Sequence, residues 1–128
     1  MQILSHPDYS EDDSNKGPIR KFLMDLAKKD PELFSAVMIV FDGIKKHGLE
    51  KYQEMGIVGR LSYVSEPIFE LKIPPKGRSR GVARFYCCRA KGNLDTLYIL
   101  TCEKKHGTPK ADKKKIKVAQ QYYRNLYK

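Results

Sequence analysis

The stretch Ile68-Phe69-Glu70-Leu71-Lys72-Ile73 decides the fold class, because apolar and polar side chains begin to alternate here with a period of two. That period is typical of a β-strand with one buried face. A second such stretch runs from Val82 to Arg89, and a third, from Thr96 to Cys102, is apolar on both faces, which is typical of a central strand. The sequence therefore predicts a sheet in the second half of the chain.

The first part of the chain shows apolar residues at helical spacing instead. A short strand is predicted around Gln2 to Ser5, followed by a helix that begins behind Gly17-Pro18 and ends at Lys28-Lys29. A second helix begins at Asp30-Pro31, which supplies a cap and a preset first helical residue, and ends at His47-Gly48. The residues predicted to face inward are Ile19, Phe22, Leu23 and Leu26 in the first helix and Leu33, Val37, Val40, Phe41 and Ile44 in the second.

The remaining segments complete the predicted order of elements. The pattern between Leu49 and Ser65 is weak and contains Gly56 and Gly59, so a loop is predicted there. A last helix is predicted from Thr108-Pro109, with an apolar stripe formed by Ile116, Ala119, Tyr123 and Leu126. The order β-α-α-β-β-β-α predicts an α+β fold: a small single domain, residues 1–128, in which an N-terminal helical hairpin packs on a mostly antiparallel sheet with a C-terminal helix.

Positive charge is concentrated in the second half of the chain. Residues 1–65 contain nine Lys/Arg and ten Asp/Glu, whereas residues 66–128 contain sixteen and five, so the halves carry net charges of −1 and +11. Such concentrated charge destabilises a small domain by self-repulsion, and its retention suggests a polyanion partner, most simply a nucleic acid backbone. Apolar residues lie between the basic ones, which argues against a disordered basic tail.

Cysteine usage and hydropathy exclude several classes of protein. Three cysteines without C-x-x-C spacing argue for a reduced, cytoplasmic protein and against a disulfide or zinc framework. Cys102 and His106 could supply two metal ligands, but no others are grouped nearby, so neither a metal nor a cofactor is expected. No apolar run approaches about 18 residues, and the N-terminus turns acidic at residues 11–13, so neither a membrane span nor a signal peptide is expected.

Alternation along the first two long strands predicts a polar face. If Phe69, Leu71, Ala83 and Phe85 pack on the helices, an opposite set meets on an open face of the sheet: Glu70, Lys72, Arg84 and Tyr86. One interpretation is a solvated face with cross-strand ion pairs, such as Glu70 with Arg84 or Lys72. The other is an RNA-binding surface, because an RNA strand needs cations and a stacking partner, and the adjoining segment adds Lys76, Arg78 and Arg80.

Motifs in a fixed order resemble a known family. The run Ile68–Ile73 is followed by Arg84-Phe85-Tyr86, by an apolar strand leading to Lys104-Lys105, and by Thr108-Pro109 before a helix. This order resembles the RelE/HigB toxin superfamily, and it is most similar to the phage-derived HigB-like branch, whose pattern is E-L-R, Y-R-V-x-Y, F-x-K-K and T-P. The helical hairpin also fits that branch. The chain departs from the pattern where Lys72 replaces Arg, Ala83 replaces Tyr and Cys102 replaces Phe.

The resemblance implies a toxin of a type II toxin–antitoxin system. Its activity would be that of a ribosome-dependent endoribonuclease, an mRNA interferase that cuts mRNA in the decoding site without a metal. The ribose 2′-oxygen would attack the adjacent phosphate and leave a 2′,3′-cyclic phosphate and a 5′-hydroxyl. The implied partners are ribosome-bound mRNA, ribosomal RNA and a cognate antitoxin, expected to be a helix-turn-helix protein encoded next to this one.

That reaction needs a base, cations for the phosphorane and an acid, and the candidate residues follow from these needs. Arg84 is the candidate for phosphate stabilisation, because its planar fork holds two oxygens. Lys72, together with Lys104 or Lys105, is a candidate for further charge or for a base. Glu70 is a candidate for a base or for orienting Arg84. Tyr86 is a candidate for stacking on a base or donating a proton, or is a half-exposed strand tyrosine. The candidate RNA-binding set is Lys76, Arg78, Arg80, Lys105 and His106.

Two alternatives from other functional classes remain open at this point. One is the relative that poisons DNA gyrase, which shares the fold but lacks a charged catalytic cluster, so the basic face argues against it. The other is a non-catalytic RNA- or ribosome-binding module in which the same residues only hold phosphate.

Overall fold

The computed structural model describes residues 1–9, 17–74, 81–105 and 112–127. Five strands and four helices are formed by these residues, in the order β1 (Gln2–Ser5), α1 (Pro18–Lys29), α2 (Pro31–His47), α3 (Glu50–Glu54), β2 (Val58–Arg60), β3 (Phe69–Ile73), β4 (Val82–Ala90), β5 (Asn93–Lys105) and α4 (Lys113–Leu126).

The five strands form one sheet with the order β1-β5-β4-β3-β2. The β2–β3, β3–β4 and β4–β5 pairs are antiparallel, and β1 pairs in parallel with β5. The prediction of an α+β fold with a mostly antiparallel sheet is confirmed. The interior position predicted for the third long strand is also confirmed, because β5 is paired on both sides.

The helical hairpin forms where the sequence predicts it. Pro18 and Pro31 occupy the first turns of α1 and α2, where a missing backbone N–H is tolerated. The Asp30 carboxylate accepts a hydrogen bond from the Leu33 backbone N–H at 3.2 Å and so caps α2. Gly48 ends α2 with a φ of 82°, a conformation that favours glycine. All five residues predicted to face inward from α2 are buried.

The region from Leu49 to Ser65 differs from the predicted loop. It contains α3, whose Tyr52 is buried, and the short edge strand β2. A five-residue helix and a three-residue strand are too short to establish a recognisable hydrophobic period, so the sequence pattern did not reveal them. At the other end of the chain, Thr108-Pro109 lies outside the described residues, and α4 begins at Lys113 behind an Asp112 cap.

Two apolar cores cover the two faces of the sheet. The larger core joins α1 and α2 to one face, where the Phe85 ring lies edge-on to those of Phe22 and Phe41 at centroid distances of 5.7 and 5.0 Å. The smaller core joins α4 to the other face through Ile116 and Tyr123. No helix formed by the described residues is long and apolar enough to cross a membrane.

We predict that Phe85→Ala lowers the free energy of unfolding by about 3–5 kcal/mol, because it removes the ring that joins the hairpin to the sheet and leaves a cavity. Urea unfolding followed by circular dichroism would measure this change. Ile39→Ala is the control, since Ile39 on α2 is 71% exposed, and we expect it to change the same quantity by less than about 0.5 kcal/mol. Similar losses in the two variants would contradict the packing described here.

Candidate functional site

The strand register brings polar side chains from three strands to one face of the sheet. Lys72 on β3 lies opposite Arg84 on β4, which lies opposite Glu103 on β5. In the next row, Glu70 lies opposite Tyr86. Directly opposed residues of antiparallel strands point to the same face, so these five residues form one group. We call Glu70, Lys72, Arg84, Tyr86 and Glu103 the polar cluster.

Two diagonal contacts hold the polar cluster together. Arg84 Nη1 donates a hydrogen bond to Glu70 Oε2 at 2.7 Å, which makes a short, charge-assisted contact. The Tyr86 hydroxyl donates to Glu103 Oε2 at 3.1 Å. The backbone N–H of Asp112, at the start of α4, donates to the same oxygen at 3.3 Å. The polar cluster and the start of α4 are therefore fixed to each other.

The sequence predicted that the face carrying the polar cluster is open, and this prediction is wrong. Tyr86 is 0% exposed, Arg84 4% and Glu103 7%. The reason is α4, whose apolar stripe packs against the same face beside Tyr86. Glu70 keeps 19% of its side chain exposed, and Lys72 is half-buried. These two side chains are therefore the accessible members of the polar cluster.

Tyr86 is neither a stacking platform nor a half-exposed tyrosine. Burial raises the pKa of its hydroxyl, and the neighbouring Glu103 carboxylate raises that pKa further. The hydroxyl consequently stays protonated at neutral pH and donates to Glu103. With no exposed surface, it cannot reach the leaving oxygen of an RNA substrate without movement of the protein.

Lys104 does not belong to the polar cluster. It pairs with Ala83, so its side chain lies on the opposite face of the sheet. There its Nζ lies 3.3 Å from Asp30 Oδ2, the side chain that caps α2. This contact ties β5 to the helical hairpin and places Lys104 apart from the other four candidate catalytic residues. Lys105 pairs with Val82 and lies on the face of the polar cluster.

Four of the candidate RNA-binding residues, Lys76, Arg78, Arg80 and His106, lie outside the described residues. The described ends of the two segments that contain them are Pro74 and Gly81 for the first, and Lys105 and Asp112 for the second. Strands β3 and β5 end here, and β4 begins, close to Arg84 and Glu103. Both basic segments are therefore attached at the end of the sheet that holds the polar cluster.

Sequence reasoning missed two residues of this site. Glu103 lies one residue beyond the third predicted strand, which ends at Cys102, whereas β5 continues to Lys105 and buries the Glu103 carboxylate. Tyr63 lies in the region predicted as a loop and is 66% exposed. Partial burial of its hydroxyl and the nearby Glu70 carboxylate raise the pKa of Tyr63, whereas Arg84 opposes this shift. The hydroxyl of Tyr63 thus lies near the polar cluster.

The cysteines and the acidic residues give no sign of a metal site in the part of the chain that the structure describes. No three His, Cys, Asp or Glu side chains lie close enough there to hold an ion. His106 of the suggested Cys102–His106 pair lies outside the described residues. Burial raises the pKa of the Cys88 and Cys102 thiols to about 12. Both thiols are therefore protonated at neutral pH, which makes them poor nucleophiles.

Comparisons of the chain with family models, with curated proteins and with solved structures found no match in any of the three.

The polar cluster contains an accessible carboxylate, Glu70, which is held by the buried guanidinium of Arg84 and lies beside the half-buried ammonium group of Lys72. Such an arrangement can accept a proton at Glu70 while Lys72 holds an anion.

We predict strong energetic coupling between Glu70 and Arg84. Breaking a fully buried ion pair from one side destabilises a protein by about 3–5 kcal/mol, because one charge loses its partner in a region of low dielectric constant. Arg84 is buried but Glu70 keeps 19% of its side chain exposed, so the loss here should be smaller than that. We therefore expect Glu70→Leu and Arg84→Met each to be destabilising, and the double variant to lose at least about 1 kcal/mol less than the sum. Urea unfolding of the four proteins would measure this coupling.

The exposed i,i+4 pair Asp25–Lys29 on α1 is the matched control. Its side chains are 59% and 73% exposed, so the corresponding coupling should be below about 0.5 kcal/mol. A coupling in the Glu70–Arg84 cycle as small as that of the exposed pair would contradict the burial described here.

Proposed function

We propose that the protein is the toxin of a type II toxin–antitoxin system, a RelE/HigB-like endoribonuclease that cuts ribosome-bound mRNA and so inhibits translation in the cytoplasm. The observation that carries this proposal is the contact between Glu70 and Arg84 beside Lys72, at the end of the sheet where two basic segments are attached. The order of helices and strands and the concentration of positive charge in residues 66–128 support it.

The burial of the polar cluster changes which residue takes which role. Glu70 is the base that accepts the proton of the ribose 2′-hydroxyl, because it combines partial exposure with a fixed orientation. Arg84 holds Glu70 from the buried side of the polar cluster and does not contact the phosphate. Lys72 and Lys105 supply the positive charge for the phosphorane, since both lie on this face and are only half-buried.

The reaction follows from these roles. The 2′-oxygen forms a bond to phosphorus as its proton passes to Glu70, and the bond from phosphorus to the 5′-oxygen breaks. The leaving oxygen gains a proton from a lysine ammonium group or from water, and the products are a 2′,3′-cyclic phosphate and a 5′-hydroxyl. The proposed partners are ribosomal RNA, mRNA and a helix-turn-helix antitoxin encoded beside this protein.

A second candidate function is a non-catalytic RNA- or ribosome-binding module. The observation that favours it is that three residues of the expected catalytic set do not face an RNA strand. Arg84 and Tyr86 are buried, and Lys104 contacts Asp30 on the other face of the sheet. In such a module, Lys72 and Lys105 would hold phosphates and no bond would break.

We predict that Glu70→Gln lowers the rate of mRNA cleavage by about 100-fold or more, because the amide keeps the size of the side chain and can still accept from Arg84, but it is not a base. Binding to ribosomes should change far less, since many lysines and arginines share that interaction. Primer extension on ribosome-bound mRNA would measure cleavage, and ribosome pelleting would measure binding.

Asp25→Asn is the control for a change of one charge on an exposed helix face, and we expect it to cleave like the unmodified protein. Equal cleavage by Glu70→Gln and the unmodified protein would remove Glu70 from the mechanism. If ribosomes bind the protein but no variant cleaves, the binding module becomes the better account. If strong expression leaves growth and amino-acid incorporation unaffected, the toxin proposal fails.

A further inference from the structure

A groove of about 360 Å³ lies toward the opposite end of β4 from the polar cluster. Its apolar lining comes from several elements, including Leu49 before α3, Val58 on β2 and Phe69 on β3. Leu94, near the start of β5, also lines the groove and is 66% exposed. A large apolar side chain in contact with water beside an apolar groove is typical of an interaction surface.

Basic side chains accompany this apolar lining. Arg60, Arg89 and Lys91 line the groove, and the described residues that line it include no Asp or Glu. Arg89 is fixed, because its Nη1 donates to the Leu94 carbonyl at 2.9 Å and its Nη2 contacts Glu50 Oε1 at 3.2 Å. Arg60 and Lys91 are exposed. The groove therefore favours an occupant that has both apolar groups and negative charge.

The chemistry of the lining disfavours RNA as that occupant. Single-stranded RNA binds where exposed aromatic faces stack on bases. Of the two aromatic residues in the lining, Tyr123 is 8% exposed and Phe69 packs partly into the main core. Lys91 Nζ lies 5.6 Å from the centroid of the Tyr123 ring. Contact with phosphate does not stabilise an aliphatic side chain, whereas contact with another aliphatic group removes apolar surface from water and is favourable.

A small amphiphilic molecule also fits the groove less well than a peptide. Leu94 is 66% exposed although it lines the groove, so a chain segment that continues past the groove covers more of this side chain than a ligand confined to it. We propose that this groove binds an acidic segment of a partner protein, with an apolar side chain against Val58, Phe69 and Leu94 and carboxylates near Arg60 and Lys91. This docking surface is separate from the polar cluster and does not depend on cleavage of RNA.

The test uses two fluorescein-labelled peptides of twelve residues, one with leucines at helical spacing among glutamates and one with each leucine replaced by serine. Their affinities would be measured by fluorescence anisotropy at physiological salt. We expect the leucine peptide to bind about tenfold more tightly, because burial of one leucine is worth about that factor or more. Leu94→Ser should remove most of this difference, and Arg60→Glu should weaken both peptides.

Ile39→Ser is the matched control, because Ile39 is 71% exposed on α2 and does not line the groove. Equal affinities for the two peptides would overturn the proposal, because they would show that charge alone attracts them. Equal effects of Leu94→Ser and Ile39→Ser would overturn the location. Tighter binding of an eight-residue uridine oligonucleotide that depends on Leu94 and Arg60 would assign the groove to RNA instead.

Discussion

β4 is buried on both faces, and this burial determines how its polar side chains must be paired. α1 and α2 cover one face of this central strand and α4 covers the other, so Arg84 and Tyr86 lie in a region of low dielectric constant. A buried polar group must have a partner there, since leaving it unsatisfied is unfavourable. Glu70 and Glu103, on the strands that flank β4, supply those partners.

The candidate basic residues that the structure describes fall into two groups with different contacts. Arg84 and Lys104 contact carboxylates and hold the strands and helices in position. Lys72 and Lys105 are half-buried and lie on the face of the polar cluster, where we propose that an anionic strand approaches them. Net charge suggests a polyanion partner, and the contacts of each cation decide whether it is placed to meet one.

The sequence predicted the long elements well and the covering of the sheet poorly. α1 and α2 carry strong helical stripes and proline starts, and β3 and β4 alternate clearly, so local chemistry determines them. Alternation also predicted correctly that Glu70, Lys72, Arg84 and Tyr86 share a face. It could not show that α4 packs on that face, because the choice of face is a long-range contact. Glu103 was missed for a related reason, because only the pairing of β5 with β4 places it beside Arg84.

In the proposed reaction, an accessible carboxylate held by a buried arginine removes the proton from a ribose 2′-hydroxyl. The termini of mRNA recovered from ribosomes after expression of the protein test this step. We expect new 5′ ends that bear hydroxyl groups and can be ligated only after phosphorylation, paired with upstream fragments that end in 2′,3′-cyclic phosphate. New 5′ ends that carry phosphate, or no new ends while ribosomes still bind the protein, would contradict it.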